Sequence, residues 1–166
     1  VTLEPAGSGY DPGQLSRSYR DLLARLEGIP GVRSATLRAV TPIGKGAASR
    51  FVSVEGFDEP PEARRRVLLN WVAPRYFETF GTALIAGRDF QFDEAQGSRV
   101  AIVNRSMARY YFGDVRVIGR RVTLERETRP YEIIGIVEDA KYSDLRLPAP
   151  RTMYFNAFAG GDVRWK

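Results

Sequence analysis

The chain contains no cysteine and no histidine among its 166 residues. Their absence excludes disulfides, thiol nucleophiles, Cys/His zinc sites and every Ser–His or Cys–His catalytic pair. The side chain that ordinarily shuttles protons near pH 7 is missing as well. Long apolar runs are also lacking. The most hydrophobic stretches, Val100–Val103 and Ile133–Val137, have the length of strands and fall far short of the ~20 residues that cross a bilayer. Val1–Pro5 lacks the basic start and apolar stretch of a signal peptide. With no initiating methionine, the sequence reads as a piece excised from a longer polypeptide. Lysine is scarce, being confined to Lys45, Lys141 and Lys166, so arginine carries the net charge of +5.

What is present is the balance of a globular protein: 43% hydrophobic and 27% charged residues, enough for one ordinary domain or two small lobes sharing a core. A sequence pI near 9.7 invites a nucleic-acid reading. The arginines, however, are interspersed with Asp and Glu, and the longest run is Arg64-Arg65-Arg66. A solvated loop or an anionic lipid surface accounts for that run equally well, so no nucleic-acid partner is expected.

Periodicity sets out the elements. Pro12–Glu27 is predicted as a helix, with Asp11 at the N-cap, Pro12 at N1 and Gln14 at N3. Leu15, Tyr19, Leu22, Leu23 and Leu26 fall on one stripe, and Gly28 and Pro30 end it. Val1–Glu4 reads as a short strand. Val32–Val40 reads as a half-buried strand through the alternation of Ala35, Leu37 and Ala39. A Gly/Ala-rich connector, Pro42–Ser49, leads to a strand at Phe51–Glu55, an acidic loop at Gly56–Ala63 and a strand at Val67–Ala73. Pro74 is expected to open a short helix, Arg75–Phe80, stopped by Gly81, with Tyr76, Phe77 and Phe80 on its apolar side. Ile85–Phe90 is expected as a loop and Val100–Val103 as a buried strand. Asn104 caps a helix over Arg105–Phe112, ended by Gly113, with Met107, Ala108, Tyr111 and Phe112 on its apolar face. Strands follow around Val122 and Leu124, at Tyr131–Val137 and at Thr152–Asn156. Strand-helix-strand order therefore occurs over Val1–Val40 and again over Val67–Val103, which argues for a two-layer α+β or α/β fold.

The candidate chemistry is thin. Gly44-Lys45-Gly46 lacks the G-x-x-x-x-G-K-[ST] spacing of a phosphate loop. The acidic Asp89–Glu94 segment lacks the spacing of a calcium loop and reads as solvated, with Arg88 and Arg99 as counter-charges. Glu138 and Asp139 are adjacent, so a strand continued through them points their carboxylates to opposite faces. The serines have no evident base. No catalytic residue, cofactor site or metal site is assigned.

A family resemblance carries the reading further. The run Leu22–Ala35, through Pro30-Gly31-Val32, resembles the helix, PGV turn and strand that open the MacB-like periplasmic core domain of ABC-transporter permeases. Val54-Glu55-Gly56 resembles a strand end of that family, Asn70–Gly81 its V-S-P-x-Y-F-x-x-x-G helix, and Leu84–Phe90 its G-R-x-F turn. Val100–Asn104 with Ala108–Phe112 resembles the strand and helix that follow; Val117–Arg121 resembles its P-I-G-K-x segment; Glu132–Val137 resembles its E-I-x-G-V-V strand, and Asp139–Tyr142 and Thr152–Phe155 its closing strands. The blocks keep the family's order over nearly the whole chain. Val117, Arg120 and Ala73 depart from its usual Pro, Lys and Ser. The nearest flavour is that of the duplicated permeases of acidobacterial type.

The resemblance implies an α+β fold with porter-like strand-helix-strand units in a two-layer lobe and a smaller inserted β-rich lobe. Residues 1–104 form mainly the porter-like lobe, 105–150 the inserted lobe, and 151–166 a closing strand returning to the first. It implies a non-catalytic domain on the periplasmic face of a bacterial inner membrane, between the first two transmembrane helices of its permease. ATP hydrolysis falls to a cytoplasmic subunit or domain, whose cycle this domain relays for export. The implied partners are those flanking helices, the ATPase, a second copy of the domain (homodimer or intrachain duplicate) and a periplasmic adaptor of the kind MacB contacts. Pro30, Gly31, Tyr76, Phe77, Gly81, Gly87, Arg88, Phe90, Gly119 and Gly135 form the expected structural signature, with Gly87 supplying a positive φ at the G-R-D-F corner. The alternative is a substrate- or lipid-sensing binding module built on Pro42–Ser49 and Arg64–Arg66.

Overall fold

The computed structural model describes residues 12–38, 48–58, 60, 66–94, 97–113, 116–140 and 148–159. The expected strand Val1–Glu4, the N-cap Asp11, most of the connector and Arg64 and Arg65 lie outside them. No described helix is long and apolar enough to cross a membrane.

The elements run α1 (Pro12–Glu27), β1 (Ala48–Arg50), β2 (Val52–Val54), β3 (Val67–Val72), α2 (Tyr76–Thr79), β4 (Leu84–Gly87), β5 (Val100–Asn104), α3 (Arg105–Phe112), β6 (Arg121–Leu124), β7 (Tyr131–Val137) and β8 (Thr152–Asn156). All eight strands belong to one sheet, ordered β1-β3-β8-β5-β7-β6-β2, with β4 hung on β7. The fold class is α+β.

That order begins and ends in the same short stretch of chain. Residues 48–54, expected as a strand only from Phe51, are extended from Ala48 but change partner at Phe51. Ala48–Arg50 pairs with Leu69–Val67, and Val52–Val54 pairs with Leu124–Val122 on the opposite edge. The continuous stretch 48–54 thereby joins the two ends of the strand order, while β4 pairs with β7 alone. Inside the ring, inward-facing residues of successive strands form the main core: Val52, Val54, Val67, Leu69, Ala101, Val103, Val122, Leu124, Ile133 and Met153. This is why β3, β6 and β7 alternate or run apolar in the sequence.

Helix α3 seals one end of the ring. Its buried Met107, Ala108 and Tyr111 join the inner core, while Phe112 is half-buried. Asn104 caps it as expected, its Oδ1 accepting from the Met107 N–H at 3.2 Å, and Gly113 closes it at φ 70°. On the outer face of the sheet, Tyr76 and Phe77 of α2 pack with Phe90 on Ile102, Ile134, Val137 and Tyr154.

Four expectations are corrected. Val32–Arg38 forms no ladder: the chain makes a single bridge, Arg38 to Val72, plus the Ala73 N–H donating to Leu37 O at 2.8 Å. The Ala35 amide goes instead to the Glu27 carboxylate at 3.1 Å, so the segment serves α1 as a rail. Helix α2 begins at Tyr76, not Arg75, because Arg75 is left-handed at φ 65°. The segment read as the loop Ile85–Phe90 is a strand through Gly87, antiparallel to β7. Leu26 and Phe80, both placed on apolar faces, are exposed at 37% and 50%. Phe80 instead lies under the Arg38 guanidinium, 4.9 Å from its ring centre.

Candidate coupling site

Of the expected signature, Tyr76, Phe77, Gly87, Arg88, Phe90, Gly119 and Gly135 gather around one place, a close crossing of backbones on the outer face. Gly87 sits at φ 78°, and a Cβ there would lie 2.1 Å from Ile134 O and 2.9 Å from Gly135 Cα. From the other side, a Cβ on Gly135 would lie 2.6 Å from Arg88 O. The two glycines permit β4 and β7 to touch, and the Arg88 N–H donates to Ile134 O at 3.0 Å. Immediately beyond, Phe90 is buried against Tyr76 and Phe77 in the second cluster. Gly119, at φ 84°, closes the turn before β6 and donates to Ile133 O at 2.8 Å on the same strand β7. Gly81 ends α2 at φ 67° in open space. Pro30 and Gly31 stand apart, exposed in the turn after α1.

A second place is one that the sequence did not disclose. Arg75 joins four segments at once. Its backbone N–H donates to Asp89 Oδ2 at 3.1 Å, its guanidinium to Glu27 at 2.6 Å on α1, to Glu78 at 3.0 Å on α2, and to Arg33 O at 3.3 Å. A non-glycine residue at positive φ costs about 1–2 kcal/mol, and these bonds hold it there. Asp89 accepts a second bond from the Phe90 N–H at 2.7 Å. Burial pushes its carboxyl pKa up, the two amide bonds oppose that shift, and the Glu78 charge adds to it. On exposed Glu78 the direction is opposite: the bond from Arg75 lowers its pKa. Arg88 pairs with Glu94 at 2.5 Å, as expected of this loop, but Arg99 turns away to Glu127.

Beside Arg75 lies a cavity of about 300 Å³ between α1 and the three segments that carry Ala35, Pro74 and Phe92. Helix α1 is otherwise held by Tyr19 and Leu23, which cluster with Ala73 and with Ala157 and Phe158 just beyond β8. Asn156 extends the clamp by donating from Nδ2 to Gln91 O at 2.8 Å. The first and last described segments are therefore packed on each other. No periodicity marks Ala157-Phe158 for this role, because it is a two-residue contact with a helix more than a hundred positions earlier.

Glu138 pairs with Arg105, whereas Asp139 accepts from Asn104 Nδ2 at 2.7 Å and from Ser106 Oγ at 2.7 Å. Among the described residues no group of three or more Asp and Glu could hold a metal ion. Of the segments proposed for a sensing site, Pro42–Ser49 and Arg64–Arg66, only Ala48, Ser49 and Arg66 lie among the described residues.

The fold is thus one sheet joined to itself through residues 48–54, with α3 packed into its main core and α1 packed on the chain that follows its last strand. The chain belongs to the MacB-like periplasmic core domain family, whose model matches residues 1–162. Among solved structures it resembles the periplasmic region of MacB from Actinobacillus actinomycetemcomitans, with a TM-score of 0.56 at 18% identity, covering 85% of this chain and 55% of that one. It also resembles the extracellular domain of the noncanonic ABC-type transporter YknZ from Gram-positive bacteria, with a TM-score of 0.53 at 20% identity, covering 83% of this chain and 61% of that one. The chain thus spans little more than half of the solved chains it resembles. Comparison with curated proteins gives no match.

Proposed function

We propose that this domain relays the ATP-driven conformational cycle of an export permease across the membrane face, moving as a rigid body between two membrane helices. The observation that carries the reading is the packing of α1 on Ala157 and Phe158. A domain inserted between consecutive membrane helices must receive and return the chain at one place. A clamp there converts a shift of either helix into motion of the whole closed sheet. The lobe division at 104/105 and 150/151, the signature roles of Pro30, Gly31, Tyr76, Phe77, Gly81, Gly87, Arg88, Phe90, Gly119 and Gly135, and pairing with a second copy belong to the same proposal. So do a cytoplasmic site of ATP hydrolysis, the absence of catalysis in this domain, and contact with a periplasmic adaptor.

The test uses the parent permease with its ATPase, reconstituted in lipid, with all other cysteines removed. Spin labels are placed at exposed Ser18 on α1 and exposed Ser53 on β2. Trapping the ATPase with nucleotide is expected to change the Ser18–Ser18 distance between two copies while leaving the Ser18–Ser53 distance within one copy constant. Identical inter-copy distances with and without nucleotide refute the relay. A changing internal distance refutes the rigid body.

A further inference from the structure

Closure of the sheet gives it two ends: among the described residues α3 covers one, while α1 packs beside the other against Ala73, Ala157 and Phe158. At the end opposite α3 lie the last residues of β3 and β8 and the first residues of β5 and β7, as the registers Trp71 with Phe155 and Val100 with Glu132 require. A cavity of about 240 Å³ opens there, lined by Trp71, Ser98, Arg99, Arg129, Tyr131 and Phe155 among others. The mouth of a closed sheet is a recurrent ligand position.

The lining is chemically divided. Trp71 and Phe155 stack with ring centres 5.4 Å apart, and Tyr131 meets Phe155 edge-on at 4.8 Å. Trp71 and Tyr131 remain half-buried, so the aromatic floor is incompletely covered. Above it Arg99 lies 3.9 Å from the Tyr131 ring centre, donates to Arg129 O at 2.8 Å and is neutralised by Glu127. Arg129 is exposed, and among the described residues its guanidinium has no ion-pair or hydrogen-bond partner. The site therefore joins an aromatic floor to one uncompensated cation at the rim.

We infer that the open end of the sheet is a binding site for a small organic anion, its apolar ring or chain lying against Trp71, Tyr131 and Phe155 and its acidic group facing Arg129. A cavity of ~150 Å³ accommodates benzene, so this one has room for a single ring with a carboxylate, sulfonate or phosphate. The inference goes beyond the relay reading and does not depend on it. An aromatic floor beneath Arg favours acidic over neutral ligands of equal size.

The test titrates the 166-residue chain with benzoate and, separately, with neutral benzyl alcohol, following backbone amide shifts by NMR. Benzoate is expected to give saturable shifts at Ser98–Val100, Tyr131 and Phe155. Arg129→Gln is expected to raise its Kd about two- to five-fold, the scale of an exposed charge, while leaving benzyl alcohol unaffected. An unchanged thermal melt of the variant establishes that its fold is intact, as an exposed and unpartnered side chain requires. Shifts that fail to saturate, or that scatter over arginines elsewhere on the surface, overturn the site. Equal effects of the variant on both probes, or none on benzoate, overturn recognition of charge.

Discussion

Gly87→Ala is the sharpest perturbation of the crossing that joins β4 to β7. A Cβ at φ 78° is unfavourable by about 1–2 kcal/mol. It would also stand 2.1 Å from Ile134 O and 2.9 Å from Gly135 Cα, both backbone atoms that no rotamer change can remove. The contact with Ile118 Cδ1 at 2.8 Å is cheap by comparison, since that side chain is exposed and can turn. Relief requires β4 to lift from β7, with overpacking worth roughly 1–3 kcal/mol and loss of the Arg88-to-Ile134 hydrogen bond worth about 1 kcal/mol. The expected total is about 3–6 kcal/mol, a large part of the ~5–15 kcal/mol that holds a domain together. The matched control is Gly81→Ala, at φ 67° with nothing within 4 Å, which carries the backbone cost alone, about 1–2 kcal/mol. Equilibrium urea unfolding of both variants measures the difference. Gly135→Ala, aimed at Arg88 O from the other strand, should be costly without any positive φ. If Gly87→Ala falls within about 1 kcal/mol of Gly81→Ala, the close-approach reasoning is wrong.

Asn104→Ala is expected to cost about 3 kcal/mol in the same assay, because the buried amide serves Met107 N, Thr152 N, Pro150 O and Asp139 together, and the Met107 and Thr152 N–H groups lose the oxygen that accepts from them; a cost below 1 kcal/mol would count against that network. Asp89 supplies a pH test. Its folded pKa is raised above the ordinary value of 3.8, so the folded state holds more protons than the unfolded chain in the interval above that value. Its contribution to stability therefore falls as pH rises through the interval. The stability of the parent relative to Asp89→Asn should decline from the acid side toward neutrality, and a rise would contradict the assigned burial effect.

Local chemistry alone determined a good part of this molecule. The bounds of α1 follow from Pro12, Gly28 and an apolar stripe. Those of α3 follow from Asn104 and Gly113, and β7 and β8 are apolar runs of strand length. Ordered motifs carried the family, because each block marks a turn or cap that the backbone needs in place. Closure of the sheet was not legible, since the exchange of partners at Phe51 depends on β3 and β6 arriving from opposite sides. Val32–Arg38 alternates like a strand yet forms no ladder: it meets the sheet only at Leu37 and Arg38, and the Ala35 amide goes to Glu27 of α1. Arg75 had no local signal either. Its left-handed backbone is stabilised by Glu27, Glu78, Asp89 and Arg33, of which all but Glu78 lie at least fourteen positions away. Periodicity and caps report what a residue does to its own turn of chain. Long-range hydrogen bonds and the meeting of distant surfaces exist only after the chain has closed, so the clamp at Phe158 and the open mouth at Trp71 were decided by tertiary structure.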